Sequence, residues 1–275
     1  MKKLVSLCLG LLLAGSLAAC GSGDGSSGSG SSGTLEKISV GATPVPHEEI
    51  LEFIKPQLEA LGYELEIVPF TDYQLPNSSL AAGEIDANYF QHKPFLDTYN
   101  ANNGTDLVSA GNVHFEPLGL YAGRTSTIEE LPDGATIAIP SDPSNEARAL
   151  NLLADQGLIE LKEGVGLEAT PLDIVSNPKN LQFEEMEAAQ IPMSLPDVDM
   201  AVINGNYALG AGVIDKVVVT EALDSEAATQ YINVVAVRKE DADSPKIQAL
   251  MQALTSDETR AFIEETYGAS VLPAF

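Results

Sequence analysis

The stretch KISVGATPVPHEEILEFIKPQLEALGYELEIVPF, residues 37–70, decides the fold class. Ile38 and Val40 alternate with small residues in a strand pattern, and a loop containing Pro44 and Pro46 follows. His47, Glu48 and Glu49 then give an acidic start that suits a helix N-terminus, where the aligned peptide dipoles leave positive charge. Ile50, Ile54, Leu58 and Leu61 fall on one helical face. Pro56 lies inside that stripe and is expected to kink it, and Gly62 to end it. Tyr63 to Phe70 returns as a second strand, so the whole is a β-α-β unit.

Further along, TIAIP (136–140) reads as a short apolar strand and SDPSN (141–145) as a turn rich in capping residues. Glu146 to Gln156 is then a helix closed by Gly157. DMAVIN (199–204) and YINVVAVR (231–238) are two more strands, the second apolar on both faces. Ser244 to Tyr267 carries helical stripes that include Ile247, Leu250, Met251 and Leu254. Strands alternating with helices predict an α/β class with parallel sheets.

The N-terminus reads as an export signal. Lys2 and Lys3 precede an apolar core, Leu4 to Leu13, too short to span a bilayer, and Leu17-Ala18-Ala19-Cys20 closes it with small residues. Residues 1–19 are therefore expected to be a signal peptide whose cleavage site resembles the bacterial lipobox, with lipid attached to Cys20. Several acyl chains on one residue anchor a protein stably. Residues 20–34 are that cysteine plus a tether of glycine, serine and one aspartate up to Gly33, unable to bury apolar surface and spanning about 20 Å as a flexible coil. The expected location is the extracytoplasmic face of the cell membrane.

With Cys8 lost and Cys20 lipidated, neither of the two cysteines remains for a disulfide, a nucleophile or a metal site. The net charge of −26 grows two units more negative once Lys2 and Lys3 leave, and the acidic residues are spread along the chain. Nucleic acid and anionic membrane surfaces are therefore poor partners for its surface. There is no GxSxG elbow, P-loop or dinucleotide fingerprint, so neither an enzyme nor a bound cofactor is expected. His47, His92 and His114 stand far apart with no HxxH or HxxxH pair, and no metal ligands are assigned.

Residues 72–96, DYQLPNSSLAAGEIDANYFQHKPFL, gather Tyr73, Tyr89, Phe90, His92 and Phe95 in a chain that is only 6% aromatic. Such a cluster serves either as ordinary core or as the wall of a pocket for an apolar or thioether side chain, since sulfur sits favourably against aromatic rings.

GEIDANYFQHKPFL, the preceding DYxLPN, PSDPSNEARAL, AVINGNYA and YINVV together resemble the methionine-binding lipoproteins that serve methionine ABC importers. The resemblance runs from KISVGATP to the end. It implies a two-lobed, periplasmic-binding-protein-like α/β fold with a ligand cleft between lobes. One lobe would comprise residues 35–118, completed by 236–275, and the other 119–235, with chain crossings near Leu118 to Gly123 and near Gln230 to Val237.

By the same resemblance, Tyr73, Phe90, His92 and Phe95 enclose the ligand side chain, and Asn145 and Arg148 bind its carboxylate. Asn204 and Asn233 hold the amino and carboxylate groups from the other side of the cleft. Arg148 also fits on physical grounds, because it is read as lying in the first turn of a helix whose free N–H groups favour an anion, and a guanidinium can grip a carboxylate through two parallel hydrogen bonds. Asn206 is read as orienting the loop, His114 and Glu116 as supports of the cleft or hinge, and His47 as helix-entry chemistry.

Two positions depart from the family pattern: Phe95 stands where many members carry tyrosine, and Val45 where glycine is common in this loop. The implied ligand is L-methionine, or else D-methionine, a methionine dipeptide or another small apolar amino acid, with a metal carrier as the more distant alternative. The implied partners are the permease and ATPase subunits of the importer, with the chain acting as a monomer tied to the membrane by lipid. Replacing Arg148 with alanine is expected to abolish measurable ligand binding in calorimetric titration, because the carboxylate loses its charge partner.

Overall fold

The computed structural model describes residues 35–222 and 229–275, so the signal segment, Cys20 and the tether lie outside the described residues. The chain runs β1 (Glu36–Ala42), α1 (Glu49–Ala60), β2 (Tyr63–Pro69), α2 (Leu75–Ala81), β3 (Ala87–His92), α3 (Lys93–Asn103), β4 (Val108–Phe115) and β5 (Gly119–Ala122). It continues through β6 (Thr136–Pro140), α4 (Pro143–Asp155), β7 (Glu160–Leu161), β8 (Ile174–Ser176), β9 (Gln182–Met186), α5 (Ile191–Ser194), β10 (Met200–Ile203), α6 (Gly205–Gly210) and β11 (Val217–Thr220). After the second crossing come β12 (Asn233–Val237), α7 (Pro245–Leu254), α8 (Asp257–Tyr267) and β13 (Leu272–Pro273).

Residues 37–70 form the anticipated unit, with β1 and β2 paired in parallel, Ile38 opposite Leu65 and Val40 opposite Ile67. α1 buries Ile50, Leu51, Ile54 and Leu58 and passes through Pro56 without ending there. Leu61 falls beyond the helix and is 41% exposed. Gly62, at φ +94°, supplies the left-handed turn that stops the helix. Val45 has φ −123° and ψ 132°, extended backbone open to any residue, so glycine is not required there.

Two sheets make the two lobes. One has the order β13-β4-β12-β3-β1-β2 and the other β11-β5-β10-β6-β9. Both are mixed rather than parallel. In the first, β12 runs antiparallel between β3 and β4; in the second, β5 is antiparallel to β10 and β11. The reason is connectivity: parallel neighbours need a helical crossover, whereas strands that carry the chain between lobes return directly. The chain passes from β4 to β5 through residues 116–118 and from β11 to β12 through residues 221–232.

Each sheet buries its own core. Ile38, Val40, Tyr89, Val235, Leu250 and Ile263 pack in the first. The second is covered on both faces, with Leu120, Ile137, Ile139, Leu150 and Val202 on one side and Tyr121, Ala138, Ala201 and Ile203 on the other. All five residues of β12 are buried, which explains why that strand reads as apolar throughout. Among the described residues no helix is long and apolar enough to cross a membrane.

Close backbone approach fixes the end of β5. A Cβ on Gly123 would lie 2.4 Å from the Val198 carbonyl oxygen and 2.6 Å from that of Leu195. Backbone cannot yield as a flexible side chain can, so Gly123→Ala is expected to cost roughly 1–3 kcal/mol, read as a lower midpoint in urea denaturation.

Candidate functional site

A small, nearly filled cavity lies where the lobes meet. The eight residues singled out from sequence, Tyr73, Phe90, His92, Phe95, Asn145, Arg148, Asn204 and Asn233, all line it, together with His47, Gln91, Glu116, Gly205 and Asn206.

One wall is aromatic. β3 ends in Phe90, Gln91 and His92, and His92 is also the N-cap of α3, its Nδ1 accepting from the Phe95 N–H at 3.2 Å. That bond holds Phe95 against the cavity and requires Nε2 to carry the ring proton. Tyr73 meets Phe90 and Phe95 with ring centroids 5.7 Å apart in both cases, and Phe90 and Phe95 meet edge to face at 5.8 Å. These separations suit quadrupolar rings packed around a side chain rather than stacked flat. The Tyr73 hydroxyl donates across the cleft to Asn206 Oδ1 at 2.6 Å.

The opposite wall is polar and comes largely from the second lobe. Asp142 caps α4 and accepts from the Asn145 N–H at 3.0 Å. The end of the helix therefore already holds a carboxylate, and Arg148 sits in the second turn, not the first as read from sequence. Asn145 joins three neighbours: its Nδ2 donates to Asp142, and its Oδ1 accepts from His92 Nε2 at 3.0 Å and from Asn204 Nδ2 at 2.9 Å. The other amide atom of Asn204, Oδ1, is buried with no partner. Asn233 opens β12 and accepts at Oδ1 from His47 Nε2 at 3.1 Å, while its Nδ2 makes no hydrogen bond among the described residues.

Arg148 is 4% exposed and is not a free cation. Nε and Nη2 donate in parallel to Glu221 at 2.8 and 2.5 Å, and Nη2 also donates to the Glu116 carbonyl at 2.9 Å. The two-pronged grip anticipated for a ligand is thus made to the chain's own carboxylate. Nη1 alone makes no hydrogen bond among the described residues, and Tyr231 covers one guanidinium face at 4.3 Å.

Sequence reading missed how far the histidines converge. His47 is more than helix-entry chemistry, because it lines the cavity and touches Asn233, a residue 186 positions away. His47, His114 and Glu116 bring their donor atoms within 4.8 Å of one another, so distance in sequence was no argument against a cluster. The donors are nonetheless spoken for. Thr43 donates to His47 Nδ1 at 2.8 Å, Tyr89 donates to His114 Nδ1, and His114 Nε2 donates to Glu116 at 2.7 Å. Spacing alone carried no signal for this network, nor for Glu221, which is 73 residues from its partner.

Burial drives the electrostatics. Loss of solvent lowers His47 to about 4, and His92 and His114 each to about 3, which keeps all three rings neutral. Burial also raises Glu116. Since the folded values of the histidines lie below the unfolded one near 6.5, their contribution to stability is intact above that pH and is lost as pH falls toward 4, by on the order of 1 kcal/mol per pH unit for each ring. The raised Glu116 carboxyl acts in the opposite sense as pH rises above the ordinary carboxylate range. None of the three imidazoles, which are all the chain possesses, is expected to titrate between pH 8 and 5 in nitrogen-detected NMR.

The sequence model of the NlpA lipoprotein family matches residues 38–275. The methionine-binding lipoprotein MetQ of Bacillus subtilis is 41% identical over 277 aligned residues, covering 99% of both chains. The membrane lipoprotein TpN32 of Treponema pallidum is 41% identical over 241 residues, 87% of this chain and 89% of that one. Among solved structures, a lipoprotein from Ruminococcus gnavus superposes with a TM-score of 0.86 at 47% identity, covering 88% of this chain and 100% of its own. A nutrient-binding protein from Burkholderia cenocepacia bound to methionine gives 0.82 at 41% identity, covering 86% and 100%. An α/β chain of two lobes, with an aromatic and polar cavity at their junction, matched from its first strand to its last residue, belongs to the NlpA lipoprotein family.

Proposed function

We propose that this chain is a lipid-anchored, extracytoplasmic solute-binding protein that closes on one L-methionine and hands it to an ABC importer. The observation that carries the reading is the pairing, in one cavity, of an aromatic wall with unspent polar atoms of both senses. Oδ1 of Asn204 is a buried acceptor without a partner, and Nη1 of Arg148 and Nδ2 of Asn233 are donors that make no hydrogen bond among the described residues. A zwitterionic amino acid would bring a carboxylate to the donors and an ammonium to the acceptor, and the cost of leaving the buried Asn204 Oδ1 unpaired supports that match.

In this reading Tyr73, Phe90, His92 and Phe95 take up the thioether side chain, which gains from sulfur against aromatic rings. Arg148 and Asn233 receive the carboxylate, Asn204 the ammonium, and Asn145 orients His92 and Asn204 around them. The methionine-binding name of the Bacillus relative and the bound methionine of the Burkholderia protein support the same ligand. The D-methionine-binding names of the Salmonella and Escherichia relatives keep the stereochemistry of the ligand a matter for measurement.

The lobe division is read as residues 35–118 with 236–275 against 119–235; sheet membership supports it except at Asn233–Val235, which pair within the first sheet as the start of β12. Tyr73 to Asn206, His92 to Asn145 and Gln74 to Glu187 bridge the two sides, so the arrangement is that of a closed cleft. A carrier rather than an enzyme is supported by the histidines, each neutral with both ring nitrogens engaged, which suits recognition better than proton transfer. Lipid on Cys20 would hold the monomer beside the permease and ATPase subunits it serves. Nothing in this reading calls for a cofactor.

Calorimetric titration of the full chain in detergent, unfolded and refolded to strip bound ligand, tests the reading. L-methionine is expected to bind tightly and one to one, ahead of D-methionine, glycyl-methionine, leucine and zinc. Silence toward L-methionine with tight binding of another of these would move the specificity and end the methionine assignment.

A further inference from the structure

Arg148 is the one buried arginine or lysine among the described residues. Its surroundings tie it to both chain crossings. From the second crossing, Glu221 accepts from Arg148 Nε and Nη2. From the first, the Glu116 carbonyl accepts from Nη2 as well. Glu221 also joins the crossings to each other: its Oε2 accepts from the Leu118 N–H at 2.9 Å, and its own N–H donates to the Leu118 carbonyl at 3.0 Å. The guanidinium plane is therefore fixed on two edges by hydrogen bonds and on one face by the Tyr231 ring.

We propose that Glu221 is a positioning residue for ligand recognition: it pins Arg148 to both interlobe crossings, so that the guanidinium meets a ligand carboxylate through Nη1 alone and in one orientation. The proposal rests on the amino-acid reading of the cavity. Its physical basis is the freedom of an arginine side chain, which loses little further entropy on binding when its fork is already held. Glu221 also offsets the arginine's charge, so the carboxylate is selected by direction more than by net attraction.

The test compares L-methionine with L-methioninamide, which keeps the thioether and ammonium but lacks the carboxylate charge, on the refolded full chain and on Glu221→Gln. Wild type is expected to prefer L-methionine, and Glu221→Gln to shrink that preference about tenfold or more, the scale of one charge-assisted hydrogen bond. A merely structural role would weaken both ligands together and leave the ratio unchanged. An unchanged ratio, or a larger one because Arg148 has been released from a competitor, overturns the positioning role. Wild type that binds neither compound overturns the amino-acid reading itself, and the positioning role with it. Should Glu221→Gln fail to fold, Glu221→Asp keeps the charge while retracting it by one methylene, and the same ratio decides.

Discussion

A guanidinium sealed from water must be paired in place, because removing one partner of such a buried pair leaves an uncompensated charge and costs about 3–5 kcal/mol. Arg148 meets that demand with Glu221 and the Glu116 carbonyl, and in doing so it joins α4 of the second lobe to both segments that connect the lobes. The cavity is built around this fixed point. Asn145 lies one helical turn before Arg148, and through Asn145 the amide of Asn204 and the imidazole of His92 are brought to the same place.

Behind the polar wall a second network does for the first lobe what Arg148 does for the second. Thr43, His47, Tyr89, His114 and Glu116 form an ordered set of donors and acceptors in which every imidazole carries its proton on Nε2. Desolvation keeps these rings neutral, so the network presents fixed dipoles instead of mobile charge. That arrangement leaves recognition to shape and to the few polar atoms without partners.

Local order was legible where neighbouring residues decide it. The β-α-β unit of residues 37–70 follows from alternation, an acidic helix start and Gly62, and β12 was recognisable because a central strand is apolar on both faces. Strand direction was not legible. A run such as Gly119–Ala122 reads the same whether its neighbour is parallel or antiparallel, and only the path of the chain between lobes makes both sheets mixed.

For the site, family resemblance brought eight residues to one cavity, while spacing and composition by themselves left the aromatic cluster open between core and pocket. The sequence by itself determined the α/β class, the apolar stripes and the capping chemistry, because each depends on residues close together in the chain. The tertiary structure alone decided that Arg148 faces Glu221, that His47 reaches Asn233, and that Asn204 keeps an unpaired oxygen. Those contacts join residues tens to hundreds of positions apart, and their strength comes from a shared loss of water that exists only once the chain has folded.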